Sequence, residues 1–447
     1  MKFDFDKVID RTRTESLKWV YPRKVLKVED AIPMWVADMD FEAPPAVIEA
    51  IRRRAAHGVY GYPLIPSSFW QSAIDWLGRR HGWDVRKDWM AKSPGIVPAL
   101  NYAVRAFTKP GDGVIIQTPV YFPFYHAVEN NGRRVVRNPL RFDGTRYTMD
   151  LEDLKRKLDE GGRMLILCSP HNPVGRVWTR EELEGLGRLA VERDLLVISD
   201  EIHADLVYSG HRHHVFAAFS PELADRTVTC IAPSKTFNIP GLSTAVVIAS
   251  NPKLLEAFED ETERAGFELG QVFGIVGFEA AYAHGEDWLD ELLPYLEANV
   301  DFLEKFLEER IPGVRLVRPE GTYLALLDCR GLGLEPAALN DFFLKRPTCI
   351  SVTARCSERR RPASSASTSA VHGPFSRRPW SASSGLSKNS AEGRGGCGPG
   401  GRVLLSDTGY AQGWPDHGYG QLVRKGQSRR GLRTCRLDLF PVPPSLA

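Results

Sequence analysis

The chain has 447 residues, 43% hydrophobic and 26% charged, the composition of a soluble globular protein with room for two or three domains. No stretch approaches the ~20 uncharged apolar residues of a membrane helix. The opening MKFDFDKVIDRTRTESLKW carries acids and no apolar core, unlike a secretory signal or transit peptide, so cytoplasm is the expected compartment.

Residues 1–45 are weakly periodic and punctuated by proline, and are expected to pack on a small domain. From there the chain alternates short apolar runs with amphipathic helical patterns, the signature of a mostly parallel sheet with helical crossovers. GVIIQTP (113–119), RRVVRNP (133–139), RMLILCSP (163–170), LLVISDE (195–201), TVTCIAPS (227–234) and TAVVIAS (244–250) read as strands buried on both faces. TREELEGLGRLAVERD (179–194) reads as a helix opened by a Thr cap and early glutamates. A long helical stretch, residues 286–310, leads into a second β-rich piece, VRLVRPEGTYLALLD (314–328). The expected architecture is a large α/β domain over 46–289 and a smaller α+β domain over 290–345.

Residues 346–447 are different material. They hold 16 Lys plus Arg against 5 Asp plus Glu, whereas residues 1–345 hold 42 against 51. Four of the seven cysteines lie there, at 349, 356, 397 and 435, in no zinc spacing and no disulfide framework. The stretch RRRPASSASTSAVHGPFSRRPWSASSG sustains neither helical nor strand period, and its composition predicts disorder. A basic nucleic-acid patch is the alternative reading of its charge.

Ligands of open parallel sheets bind beyond the carboxyl ends of the strands. Asn172, Asp200 and Lys235 fall there, after three successive predicted strands, and are expected to converge on one crevice. Singly, each has a plainer role: Asp200 as a cap, Asn172 before a proline as a turn former, Lys235 as a solvated loop lysine. Together an amine, a carboxylate and an amide suit pyridoxal 5′-phosphate. Lys235 would bind its aldehyde, Asp200 would hold a proton on its ring nitrogen, and Asn172 would donate to its phenolic oxygen.

SPHNPVGRVWT, SDEIHADLVY and APSKTFNIPGL resemble the fold-type I aminotransferase superfamily, class I and II. PMWVADMDFEAPPAV (33–47), VYGYP (59–63) and the histidine of DEIHADL are similar to its branch of PatB- and MalY-type cystathionine β-lyases, or C-S lyases. The resemblance runs to about residue 345. It implies a phosphate cup at SPGIVPALNYAVRAF (93–107), with amides of Gly95, Ile96 and Val97. It also implies that Tyr121 stacks on the cofactor ring, that Ser234 reaches the phosphate, and that Tyr60 reaches the phosphate in a neighbouring subunit. A homodimer with shared active sites follows. Packing is the alternative role for both tyrosines. His203 stands where related transaminases often have tyrosine and marks the lyase branch; packing behind the site is its alternative. The chain departs from the pattern at Ser243, where many members have a phosphate-binding arginine, and at Ala232, where some have serine.

The activity implied is β-elimination from cystathionine or a related cysteine S-conjugate. An aminotransferase is the alternative, and a regulatory PLP-binding protein a third reading. The resemblance also bears on the tail. Members continue with a motif like GFVRINIACPR, whose arginine grips the substrate carboxylate, and this chain has none after NDFFLK. Written in GC-rich codons of our choosing and read from the third base, PASSASTSAVHG (362–373) becomes GFVRINIGRPR. The same shift turns residues 376–390 into PEALERLQRAFEEQ, an amphipathic helix. A change of reading frame near Lys345 is therefore expected, leaving an out-of-frame tail that binds no nucleic acid.

Overall fold

The computed structural model describes residues 2–24, 32–335, 338–339, 349–354, 368–372 and 405–406, all within a unit spanning 1–407. Its centre is a seven-stranded sheet. In chain order the strands are β1 (Met90–Ser93), β2 (Gly113–Thr118), β3 (Arg134–Pro139), β4 (Gly162–Cys168), β5 (Leu196–Asp200), β6 (Thr227–Ile231) and β7 (Ala245–Ile248). Across the sheet the order is β1-β7-β6-β5-β4-β2-β3. All six runs read as strands from the sequence are present. One, β7, runs antiparallel to both neighbours. A parallel return needs a long crossover, usually a helix, and only 13 residues separate β6 from β7, holding one helical turn and a 3₁₀ turn.

The helices cover the sheet through apolar stripes. Helix α1 is Pro45–Ala56 and α2 is Ser67–His81; α3 (Ile96–Phe107) buries Ile96, Ala99, Leu100, Ala103 and Val104, the spacing of one helical face. Helix α4 (Arg180–Glu192) opens with a capping box between Thr179 and Glu182, as its sequence predicts. A four-residue helix α5 (Pro233–Thr236) follows β6, and α6 (Val272–His284) packs on α1 and α2. Helix α7 spans Glu286–Arg310 unbroken, so the expected domain boundary at 289/290 falls inside it. The N-terminal segment reaches α7, where Tyr295 Oη donates to Asp6 and the Phe5 ring packs on Trp288 and Tyr295.

A second sheet contains β8 (Arg315–Val317) and β9 (Leu324–Asp328), the antiparallel pair expected from 314–328. β9 continues to β11 (Thr368–His372), which pairs with β10 (Cys349–Ala354); Ile32–Pro33 and Leu405–Ser406 border β10. β10, β11 and Leu405–Ser406 are the described residues of 346–447. Lys345 and the remaining residues of 346–447, the tail expected to be disordered, lie outside the described residues.

Candidate active site

Strand register places the predicted residues in one row. Cys168, Asp200 and Cys230 are direct partners at the carboxyl ends of β4, β5 and β6. Ser93, ending β1, pairs with Ala245, and the next residue of β7, Val246, pairs with Ile231. Read across the sheet, the segments leaving these ends carry Gly95, Lys235, Asp200, Asn172 and, beyond β2, Tyr121. The last two are tied directly, Tyr121 N donating to Asn172 O at 3.1 Å.

Lys235, half-buried in α5, donates from Nζ to the carbonyl of Ala37 at 2.6 Å. Burial lowers its pKa to about 8, against the opposing pull of Asp38 and Asp200. Asp200 is pushed the other way, up to about 7, chiefly by burial; a hydrogen bond from Ile202 N at 3.2 Å and the charge of Lys235 partly offset this. A half-buried amine and a buried carboxylate are thus both drawn toward neutrality, the condition for a nucleophile or base beside a tunable acid.

Gly95 holds φ +152°, a conformation side chains resist, and begins α3 with no side-chain cap. Ser93 Oγ donates back to Gly95 O at 2.9 Å, and Pro98 lacks an N–H. The Gly95, Ile96 and Val97 amides are thus left for an anion, with the helix dipole behind them. An aldehyde-reactive amine, a carboxylate with one hydrogen bond, and an uncapped helix N-terminus in one row fit pyridoxal 5′-phosphate. Among the described residues no group of three His, Cys, Asp or Glu suits a metal.

The remaining expected residues fall in different places. Ser234 is half-buried beside Lys235, and His203 is buried with its ring 6.1 Å from that of Tyr323. Tyr60 does not join the row within one chain. It is 56% exposed, donates to Ala55 O at 2.7 Å, and packs on Phe273. Ser243, at the arginine position, adopts φ +47° after the 3₁₀ turn.

Three contributors escaped the sequence reading. The Ala37 carbonyl accepts from Lys235 and also from Tyr323 Oη, at 2.8 Å. Asn238 clamps the same segment: Oδ1 accepts from Met39 N at 2.8 Å, and Nδ2 donates to Met39 O at 2.9 Å and Phe41 O at 2.7 Å. Behind it, Lys18 and Arg11 pair with Asp40, and Arg11 also pairs with Asp38. A cavity of about 360 Å³ opens beside Asp38 and Asn238; a larger one, about 510 Å³, lies between α1 and α6 and is lined by none of the row.

The Bacillus subtilis cystathionine β-lyase PatB is 45% identical over 348 residues, covering 78% of this chain and 90% of that protein. Cystalysin from Treponema denticola, whose crystal structure contains pyridoxal 5′-phosphate, superposes with a TM-score of 0.73 at 37% identity, over 77% of this chain and 88% of its own. The PLP-bound C-S lyase of Staphylococcus hominis gives 0.75 at 32% identity, over 83% and 94%. The family model of aminotransferase class I and II matches residues 29–352, and with the row of groups at the strand ends this places the chain in that family.

Proposed function

We propose that this chain is a PLP-dependent C-S β-lyase, releasing a thiol, pyruvate and ammonia from cystathionine or a related cysteine S-conjugate. The observation that carries it is the placement of the Lys235 amine and the Asp200 carboxylate at neighbouring strands β6 and β5, each feeling the other's charge, in a chain whose relatives include lyases. Pyridoxal 5′-phosphate, when bound, supplies the electron sink for a carbanion at the substrate Cα. Lys235 would hold the aldehyde, and its Nζ would serve as the base for the substrate Cα proton. Asp200 would keep the ring nitrogen protonated, Asn172 would donate to the phenolic oxygen, and Tyr121 would pack on the ring. The Gly95, Ile96 and Val97 amides, with Ser234, hold the phosphate. A thiolate then leaves Cβ, and hydrolysis of the remaining three-carbon fragment gives the other products.

Tyr60 supports a homodimer. It sits on an exposed apolar segment with Val59, Tyr62 and Leu64, away from its own row, and serves the phosphate of a second copy. Cytoplasm is the proposed compartment. Pyruvate release from cystathionine, measured against keto-acid-dependent amino transfer, tests the reading. Transfer exceeding release favours the aminotransferase, and cofactor absorbance with neither favours a regulatory protein.

The proposal extends to the C-terminus. The family match stops at residue 352, seven positions past Lys345, which supports a shifted reading frame there. Residues 346–447 would then lack the carboxylate-gripping arginine, leaving cofactor bound but catalysis severely impaired. Resequencing the gene tests this; an intact frame across codon 345 with a protease-resistant tail overturns it.

A further inference from the structure

Helix α5 cannot set the direction of Lys235 by itself. It has four residues, a proline start and no side-chain cap, too short to be stable alone. Its orientation is imposed from outside, through the residue next to the lysine. Thr236, fully buried, donates from Oγ1 to Asp205 Oδ2 at 2.7 Å. The other oxygen of Asp205 accepts from Trp76 Nε1 at 3.0 Å and meets His81 Nε2 at 2.8 Å, both from α2. Burial opposes the charge of Asp205, yet hydrogen bonds from His81, Thr236 and Trp76 hold it below the usual carboxylate range.

The residue after Asp200 is tied in the same way. Glu201 Oε2 meets His213 Nε2 at 2.8 Å, and Oε1 accepts from Ser199 Oγ at 2.8 Å and Phe216 N at 3.1 Å. The two imidazoles meet edge to face, centroids 5.4 Å apart. Each reacting group, Asp200 and Lys235, is therefore followed by a side chain fixed into one buried cluster: Thr236–Asp205–His81 against His213–Glu201.

We propose that this cluster is a gauge that fixes the spacing of Lys235 from Asp200, with Asp205 and Thr236 as positioning residues that never touch substrate or cofactor. The inference rests on the reading of Lys235 as the cofactor-bearing lysine. A misplacement of about 1 Å can cost about a hundredfold in rate, and losing the Thr236 tie removes the side-chain bond that joins α5 to the cluster.

Thr236→Val removes one donor at nearly constant shape, and Thr236→Ser keeps it. The apoprotein is loaded with pyridoxal 5′-phosphate, and covalent attachment is followed by borohydride trapping and mass. The pH at which the bound cofactor's visible absorption changes is then titrated. In Thr236→Val, loading slows and kcat falls by about ten- to a hundredfold with KM little changed, the absorption midpoint shifts, and Thr236→Ser restores all three. Asp205→Asn, checked for folding by circular dichroism, shifts the midpoint in the same direction. Thr236→Val that loads, titrates and turns over like wild type overturns the gauge. So does a loss of melting temperature with an unmoved midpoint. Wild-type protein that traps no cofactor at Lys235 overturns the underlying reading instead.

Discussion

Asp200 and Asp205 lie in one short segment and are both buried, yet their surroundings are opposite. Asp205 is saturated by three side-chain partners and held in the carboxylate form; Asp200 has one backbone donor and is driven up to about 7. The same contrast separates two helix starts. Helix α4 is closed by a capping box, while α3 begins at Gly95 with its first amides uncapped. Both oxygens of Asp205 are satisfied from within the chain, whereas around Asp200 and at the start of α3 polar groups wait for a partner. Since buried polar groups are normally paired, the line between satisfied and waiting groups outlines a ligand.

The largest expected effect lies at the centre of the waiting set. Lys235→Ala abolishes turnover and borohydride-trapped cofactor at that peptide; a trapped adduct at the same peptide in the variant would refute the assignment. Asp200→Asn comes next, slowing turnover by several orders of magnitude, each tenfold corresponding to about 1.4 kcal/mol of barrier. Its apoprotein should behave in the opposite sense. A carboxylate whose folded pKa is raised from 3.8 to about 7 stabilises the fold only at low pH and loses that contribution as pH rises to about 7. The melting-temperature advantage of Asp200→Asn apoprotein should therefore grow across that window and level off above it. A flat difference would mean that Asp200 has another partner.

Gly95→Ala should be milder. A Cβ there meets only Pro98 Cδ at 3.6 Å, so the penalty is backbone strain at φ +152°, about 1–3 kcal/mol. Titration should show weaker cofactor retention, with inorganic phosphate competing less well. The smallest effect is a pH dependence. The ε-amine attacks only when neutral, so wild-type loading should rise with pH through about 8 and then plateau. A midpoint near the ordinary lysine value of 10.5 would show that burial does not act on Lys235.

The waiting set was the legible part. Asn172, Asp200 and Lys235 each end an apolar run whose strand character the sequence shows, and their chemistry lies in their side chains. The satisfied set was hidden for the same reason reversed. Ala37 contributes a carbonyl, which has no residue-type signature, and Tyr323 sat inside a run read only as strand. Asp205 was in view within DEIHADL, but its donors Trp76 and His81 lie 129 and 124 positions away. Strand β1, MAKS, was missed because four residues with a lysine carry no apolar period. The direction of β7 depended on the connection before it, not on its own composition.

The Asn238 clamp has a consequence for how the protein is made. Its partners at Met39 and Phe41 emerge from the ribosome 199 and 197 residues before Asn238. At synthesis rates of about 5–20 residues per second, that interval is roughly 10–40 s. Throughout it, the backbone groups of Met39 and Phe41 lack the amide that later holds them. The segment whose Ala37 carbonyl meets Lys235 thus takes its final place only after six of the seven strands of the large sheet have been made, and until then it is open to chaperones and to other nascent chains.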